Sequence, residues 1–424
     1  MKAIKFKKIF IIMLLAFLII FINSFIYISC ASDTPTISNT ATCYVIDNWT
    51  NKALFSKNEK QKMYPASTTK IVTAIIVLEN CNLNDKTTAS YNAISTIPQG
   101  YVTADIQIGE EFTIEQLLEL LLVHSANDAA NVLAEYVGGS VQSFVSMMNT
   151  KVNELGLSDT HFTNPYGLQD ENHYTTAYDL AYIMKYCLQN ETFRKISGKA
   201  SCAIPATNMS EPRKYNSTNE LLIAGNDNYY QYASTGKTGF TSQAKECLVS
   251  SAYNNDLEVI CVILGSDNRF LDTRNVYDYI FSNYKIENIY NENDVITTIT
   301  VKNATNDTKN LNLLISEDLP VLVNTSNDFL TDATQVVVTD DEITAPIREG
   351  QILGKVTYNL NGVSYTSDLI AANDVEKSNL ITYIIYGSTI SIVIILFIVI
   401  FKLSKSKKGI TKTIEITENK NDND

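Results

Sequence analysis

Positive charge and histidine are scarce in this chain, and its cysteines stand apart from one another. Lysine and arginine number 33 against 46 aspartates and glutamates, for a net charge of −13 and a pI near 4.8. Phosphate backbones are bound through basic patches, so this balance argues against nucleic acid as a partner. The three histidines, His124, His161 and His173, fall in no metal-ligand pattern, and no metal is expected. His124 reads as a helix-end residue. Beyond Cys30, the cysteines Cys43, Cys81, Cys187, Cys202, Cys247 and Cys261 form no Cys-x-x-Cys pair. Neither a zinc site nor a dense disulfide framework follows from that spacing, and most of the six are expected as buried thiols.

What is present begins with an apolar run at each end. Lys2, Lys5, Lys7 and Lys8 precede Ile9 to Ile28, and Ser29-Cys30-Ala31-Ser32 supplies small residues. Residues 1–31 therefore read as a signal peptide cut after Ala31. An uncleaved anchor and a lipidated Cys30 are the rival readings, although Tyr27 and Ile28 fit a lipobox poorly. Leu380 to Phe401 carries no charge. At about 1.5 Å per residue it reaches about 33 Å, enough for a hydrocarbon core of about 30 Å. Lys402, Lys405, Lys407 and Lys408 follow directly, which makes 402–424 a cytoplasmic tail, unstructured beyond Lys408. The polypeptide between the two runs is then extracytoplasmic and membrane-tethered.

Three short motifs lie in that outer part: Ser67-Thr68-Thr69-Lys70, Ser125-Ala126-Asn127 and Lys237-Thr238-Gly239. Each alone is weak, since Ser404 with Lys407, and Ser217-Thr218-Asn219, match two of the spacings by accident. Context separates them. Ser67 opens an apolar run, Thr69 to Leu78, long enough for a buried helix stopping at Asn80. Residues three apart share a helix face, which puts Lys70 beside Ser67 near the positive end of the helix. Thr113 and Gln116 read as a capping box ahead of Ile114, Leu117, Leu118, Leu121 and Leu122 at helical spacing. A second helix, Asp128 to Tyr136, ends at Gly138-Gly139, so Ser125 and Asn127 fall at a helix–helix junction. Taken alone, Ser125 reads equally well as an N-cap. Ser234 to Thr241 reads as an edge strand followed by the hairpin Cys247–Tyr253 and Leu257–Leu264, turning at Asn254-Asn255-Asp256. No acid lies near Lys237 in that strand, so Lys237 is expected exposed and free to bind an anion.

With these motifs, Pro65-Ala66-Ser67-Thr68-Thr69-Lys70, His161 to Leu168, His173 to Leu180 and Leu264 to Phe270 make Thr42–Tyr284 resemble the serine D-alanyl-D-alanine carboxypeptidases, the low-molecular-mass penicillin-binding proteins. The resemblance implies a penicillin-binding-protein/β-lactamase-like α/β fold: an antiparallel sheet flanked by helices, plus a helical lobe. It also implies a penicillin-sensitive acyl-enzyme that removes the last D-alanine of peptidoglycan stem peptides, with no cofactor. By resemblance Ser67 is the nucleophile, Lys70 its base and Ser125 the proton relay. Asn127 holds the substrate amide, and Lys237 and Thr238 of the Lys237-Thr238-Gly239 strand bind the terminal carboxylate. The backbone N–H groups of Ser67 and Phe240 form the oxyanion hole. Arg269 matches an arginine that reaches the carboxylate, or serves as a salt-bridged structural residue. His173 matches a position that shapes the fold beside the site.

Three departures stand out: Tyr166 for a frequent His, Tyr178 for a frequent Arg, and Ala244-Lys245 without the usual glycine. They leave the acyl-side pocket undefined. A class A β-lactamase would add a Glu-x-x-x-Asn loop, and between Asn127 and Lys237 no Glu has Asn four residues later. A catalytically silent wall-binding homologue is the other alternative. The outer part divides into a catalytic domain, 32–286, and a small all-β sandwich, 288–373. The second shows alternating runs at Val295–Val301, Leu311–Ile315, Thr334–Thr339 and Lys355–Leu360, then an Asn361-Gly362 turn into Val363–Thr366. The sandwich reads as a spacer ahead of the transmembrane helix, 380–401. β-Lactams, stem peptides and the membrane are the implied partners.

Overall fold

The computed structural model describes residues 34–325, 334–339 and 342–418. The expected signal peptide lies outside them. Two compact units meet in sequence between Ile286 and Glu287.

The first unit is built on five antiparallel strands, β1 (Thr42–Asp47), β2 (Ala53–Lys57), β3 (Ala233–Thr241), β4 (Lys245–Asn254) and β5 (Leu257–Ser266), in the order β2-β1-β5-β4-β3. The N-terminal hairpin docks on the last strand, which leaves β3, with Lys237-Thr238-Gly239, at the sheet edge. Asn255 and Asp256 both take positive φ, 47° and 66°, as a two-residue turn of this hand requires between β4 and β5. Strand β5 is buried on both faces, because helices cover the sheet on each side.

The helices that matter below are α1 (Lys70–Asn80), α2 (Asn127–Gly138), α3 (Val141–Glu154), α4 (Ala177–Cys187) and α5 (Arg269–Asn283). Helix α5 packs on one face of the sheet, where Ser250 Oγ and Tyr277 Oη lie 2.7 Å apart. The other face joins the main core, with Ile46, Val249, Ile260 and Val262 in one cluster with α1 and α4. Helix α1 is buried continuously from Lys70 to Val77, which makes it the central helix of the lobe. The capping box at Thr113 and Gln116 forms in full. Its helix, Ile114–Glu119, runs on as a π-helical turn, Leu120–His124, that ends at Ser125. Gly139, at φ 71°, closes α2 in the left-handed conformation. The six cysteines among the described residues are free thiols, five of them buried.

The second unit holds an antiparallel sheet of β6 (Val295–Thr300), β7 (Asn310–Ile315), β8 (Thr334–Thr339), β9 (Ile352–Leu360) and β10 (Val363–Ala371), ordered β6-β7-β10-β9-β8. Asn361 and Gly362, both at positive φ, make the β9–β10 turn. Leu319–Asn324 adds a strand the sequence did not announce: Leu319, Val321 and Val323 are buried, and Leu322 N donates to Tyr365 Oη at 3.1 Å. Pro320 argues against a strand by rule, yet this one sits in a two-stranded ribbon, where an edge position tolerates the missing N–H.

Helix α6 (Leu380–Glu418) includes Thr382–Lys405, which is long and apolar enough to cross a membrane. It continues past Lys408, where an unstructured tail was expected. Extending an existing helix avoids the nucleation penalty that would keep this polar stretch open by itself.

Candidate active site

The site starts from a strained turn. Ala66, at φ 47°, leads into a 3₁₀ turn, Ala66–Thr69, whose carbonyls are tied down by the threonines between Ser67 and Lys70. Thr68 Oγ1 donates to Pro65 O and Thr69 Oγ1 to Ala66 O, each at 2.8 Å. Behind the turn, Thr69 Oγ1 lies 2.8 Å from His173 Nε2, while His173 Nδ1 accepts from Thr163 N at 3.0 Å. That pairing fixes a neutral imidazole protonated on Nε2, and burial lowers the His173 pKa to about 3. Two glycines let other backbones close on the turn. A Cβ at Gly167 would lie 1.9 Å from Ala66 O, and one at Gly239 would lie 2.7 Å from Pro65 O.

Helix α1 then carries Lys70 under Ser67. Lys70 is fully buried, and its Nζ lies 3.0 Å from Ser67 Oγ, 2.6 Å from Asn127 Oδ1 and 2.9 Å from Tyr166 O. Burial holds its pKa well below the usual lysine range, the Lys237 cation lowers it further, and Asp128 opposes. A neutral amine has two N–H donors and one lone pair. Asn127 and Tyr166 use the donors, which leaves the lone pair for the Ser67 proton.

Ser125 occupies the left-handed region, at φ 69°, immediately after the π-helical turn. It does not cap α2: that N-cap is Ala126, with no side-chain bond. Instead Ser125 Oγ accepts from Lys237 Nζ at 2.9 Å. Asp128 anchors the neighbouring loop by accepting from the N–H groups of Ala104 and Ile106, and Asn127 N donates to Val102 O at 2.9 Å. Tyr101 and Val102 thereby form one wall of the groove.

Lys237 corrects an expectation: it is buried, not exposed. The partner it needs is supplied by Ser125 Oγ and its neighbour's carbonyl, Thr238 O, at 2.8 Å, with no acid involved. Burial, then the Arg269 cation, lowers its pKa to about 7. Arg269 Nη1 donates to Gly239 O at 2.7 Å, and its Nε lies 3.9 Å from Glu246, so the arginine braces the edge strand while also lining the groove. The groove, of about 560 Å³, is bordered by Ser67, Ser125, Asn127, Thr238, Gly239 and the exposed Phe240.

A profile of the D-alanyl-D-alanine carboxypeptidases matches residues 30–268, more than half of the chain. The chain belongs to this family. A second profile, for the C-terminal domain of penicillin-binding protein 5, matches residues 284–377. The D-alanyl-D-alanine carboxypeptidase DacF of Bacillus subtilis is 32% identical over 349 residues, covering 80% of this chain and 87% of its own. Penicillin binding protein 5 of Haemophilus influenzae shares the fold at a TM-score of 0.61 and 26% identity, over 82% of this chain and all of its own. The Streptomyces K15 DD-transpeptidase, at 31% identity and a TM-score of 0.55, covers 59% of this chain and 100% of its own. Membership of the carboxypeptidase family disfavours both the β-lactamase and the silent-homologue alternatives.

Within the family frame, the three motifs converge on one groove. Four residues contribute in ways that no motif in the sequence marks. Tyr166 acts through its carbonyl, which explains why a Tyr there leaves the Lys70 contact intact. Tyr101 and Val102 come from a loop without a motif. Thr218 belongs to the Ser217-Thr218-Asn219 stretch set aside as accidental, yet it lines the groove and bonds Thr238.

Proposed function

We propose that this protein removes the terminal D-alanine from peptidoglycan stem pentapeptides through an acyl-enzyme on Ser67. The observation that carries the proposal is the contact set of Lys70 Nζ, aimed at Ser67 Oγ from a site where its cation is disfavoured. Neutral Lys70 takes the Ser67 proton as Oγ attacks the carbonyl between the two D-alanines. The N–H groups of Ser67 and Phe240 receive the developing oxyanion, each such donor being worth about 3 kcal/mol in the transition state. The C–N bond breaks, and Ser125 passes the proton to the departing amine. Donation from Lys237 to Ser125 makes that hydroxyl the better acid. Water then cleaves the acyl ester, Lys70 taking its proton and Ser67 Oγ regaining one. Asn127 holds the substrate amide, while Lys237, Thr238 and Arg269 receive the terminal carboxylate.

Topology completes the reading: residues 32–286 form the catalytic domain, 288–373 the spacer and 380–401 a membrane anchor that leaves the groove extracytoplasmic. Mass spectrometry of a stem pentapeptide incubated with the protein tests the activity. Loss of one D-alanine is expected. An untouched pentapeptide, or cross-linked product alone, would overturn the assignment.

A pH profile follows from the two lysines. Acylation needs Lys70 neutral, so kcat/KM rises through the depressed Lys70 pKa. Substrate binding needs Lys237 charged, and a lysine loses charge above its pKa, so kcat/KM falls above about 7. A bound carboxylate favours the cation, which moves the falling limb of kcat to higher pH than that of kcat/KM. Lys237→Arg, always charged, is expected to lose the alkaline limb. An unchanged limb in that variant would assign the titration elsewhere.

A further inference from the structure

We propose that His124 is a positioning residue: it fixes the Tyr101–Val102 wall against Ser125, so that the wall meets the part of the substrate on the N-terminal side of the scissile bond. The inference rests on the reading of Asn127 as the holder of the substrate amide. It adds to that reading a residue that touches no substrate.

The wall loop is fastened to the catalytic motif from both ends of the motif. His124 Nε2 lies 3.1 Å from Thr103 O, and a carbonyl oxygen can only accept, so the imidazole donates. Asp128, at the other end of Ser125-Ala126-Asn127, accepts from Ala104 N at 3.0 Å. Thr103 O and Ala104 N belong to one peptide unit, and a peptide unit is planar. His124 and Asp128 therefore grip a single plate by its two polar groups, which sets the direction in which the chain leaves toward Val102 and Tyr101. Between the two grips, Asn127 N donates to Val102 O at 2.9 Å.

The imidazole is itself held in place. Its ring packs on Tyr215 with centroids 4.2 Å apart, and Tyr215 Oη donates to Ala104 O at 3.0 Å. Burial keeps the His124 pKa below the usual histidine value, against the opposing influence of Thr103 O, Asp128 and Asp105. A neutral imidazole has one N–H, and Thr103 O takes it. That leaves no N–H for the reaction at Ser125, which separates this role from a catalytic one. One residue earlier, Val123 O accepts from Thr218 N at 3.1 Å, so the same π-helical turn also fastens the Thr218 border of the groove.

The consequence for the substrate follows from the Asn127–Val102 bond. A chain that continues past the Asn127 contact runs along Tyr101 and Val102, which are 38% and 49% exposed and border the groove. Apolar surface standing open there is covered when the stem residues that precede the scissile bond arrive.

The test compares acylation of the full-length protein by benzylpenicillin, which carries an acyl side chain, with acylation by aminopenicillanic acid, which ends at the amine. His124→Phe keeps a ring against Tyr215 and removes the N–H. It should lose about 3- to 10-fold toward benzylpenicillin, the range of one neutral hydrogen bond, with the aminopenicillanic acid rate unchanged. His124→Gln, whose amide nitrogen reaches as far as Nε2, should restore the benzylpenicillin rate, and His124→Asn, one methylene shorter, should not. If His124→Phe does not fold, the Gln and Asn variants carry the same comparison. Equal losses toward both compounds would assign His124 a purely structural role and overturn the inference, as would no loss toward either, or a Gln variant no faster than the Asn one. A wild type that neither compound acylates would refute the Ser67 reading and the inference with it, a failure visible before any variant is made.

Discussion

Lys70→Met is expected to slow acylation of Ser67 about a thousandfold, the middle of the range for a lost general base, with the fold intact. Methionine matches the length of the lysine stem but has no lone pair to take the serine proton. The stability change combines two opposing parts. Removing a buried amine relieves desolvation, which dominates the depression of its pKa, while Asn127 Oδ1 and Tyr166 O lose their donor. A net shift in melting temperature of only a few degrees is expected. A second readout isolates the amine. Lys70 binds a proton in the unfolded chain up to about pH 10.4 but not in the folded one above its depressed value. Wild-type stability therefore rises with pH across that window and is lost as pH falls through the folded pKa. The Lys70 share of this slope should vanish in Lys70→Met. A variant that still labels with fluorescent penicillin at a near wild-type rate would disqualify Lys70 as the base.

The parts of this site that were legible in the sequence are those set by chemistry within a turn or two. Ser67 and Lys70 share a helix face, Thr113 and Gln116 cap a helix, and Asn254-Asn255-Asp256 turns a hairpin: each involves neighbours in the chain. The parts that were not legible depend on segments brought in from far away. Lys237 is buried because Ser125 and the Ser217–Asn219 turn fold against an edge strand that carries no acid of its own, so the strand alone reads as exposed. Tyr166 contributes a carbonyl, and a carbonyl has no sequence signature. Thr218 was set aside because a three-residue match is common by chance, and only its hydrogen bond to Thr238 distinguishes it. Strand Leu319–Asn324 was hidden by Pro320, whose cost depends on whether the strand is central or at an edge.

Gly167→Ala tests how tightly the nucleophile is positioned, and it is expected to reduce acylation at least about a hundredfold, the loss associated with a misplacement of about 1 Å. Gly167 has φ +90°, and a Cβ there would lie 1.9 Å from Ala66 O, 2.2 Å from Ala66 C and 2.9 Å from Ser67 N. All three are backbone atoms, so no side chain can rotate out of the way. Either the Ala66–Ser67 turn retreats or the Tyr166–Gly167 segment does. The first moves the nucleophile. The second withdraws Tyr166 O from Lys70 Nζ, 2.9 Å away. Both routes separate the base from the hydroxyl. Left-handed strain adds about 1–2 kcal/mol, and the steric conflict should bring the total loss of stability to about 3 kcal/mol or more. Gly225→Ala supplies the control: its φ is +87°, yet nothing lies within 4 Å of the added methyl. It should lose only the strain, with acylation unchanged. If Gly167→Ala labels with penicillin as fast as Gly225→Ala, the close approach of these two backbones is not what holds Ser67 against Lys70.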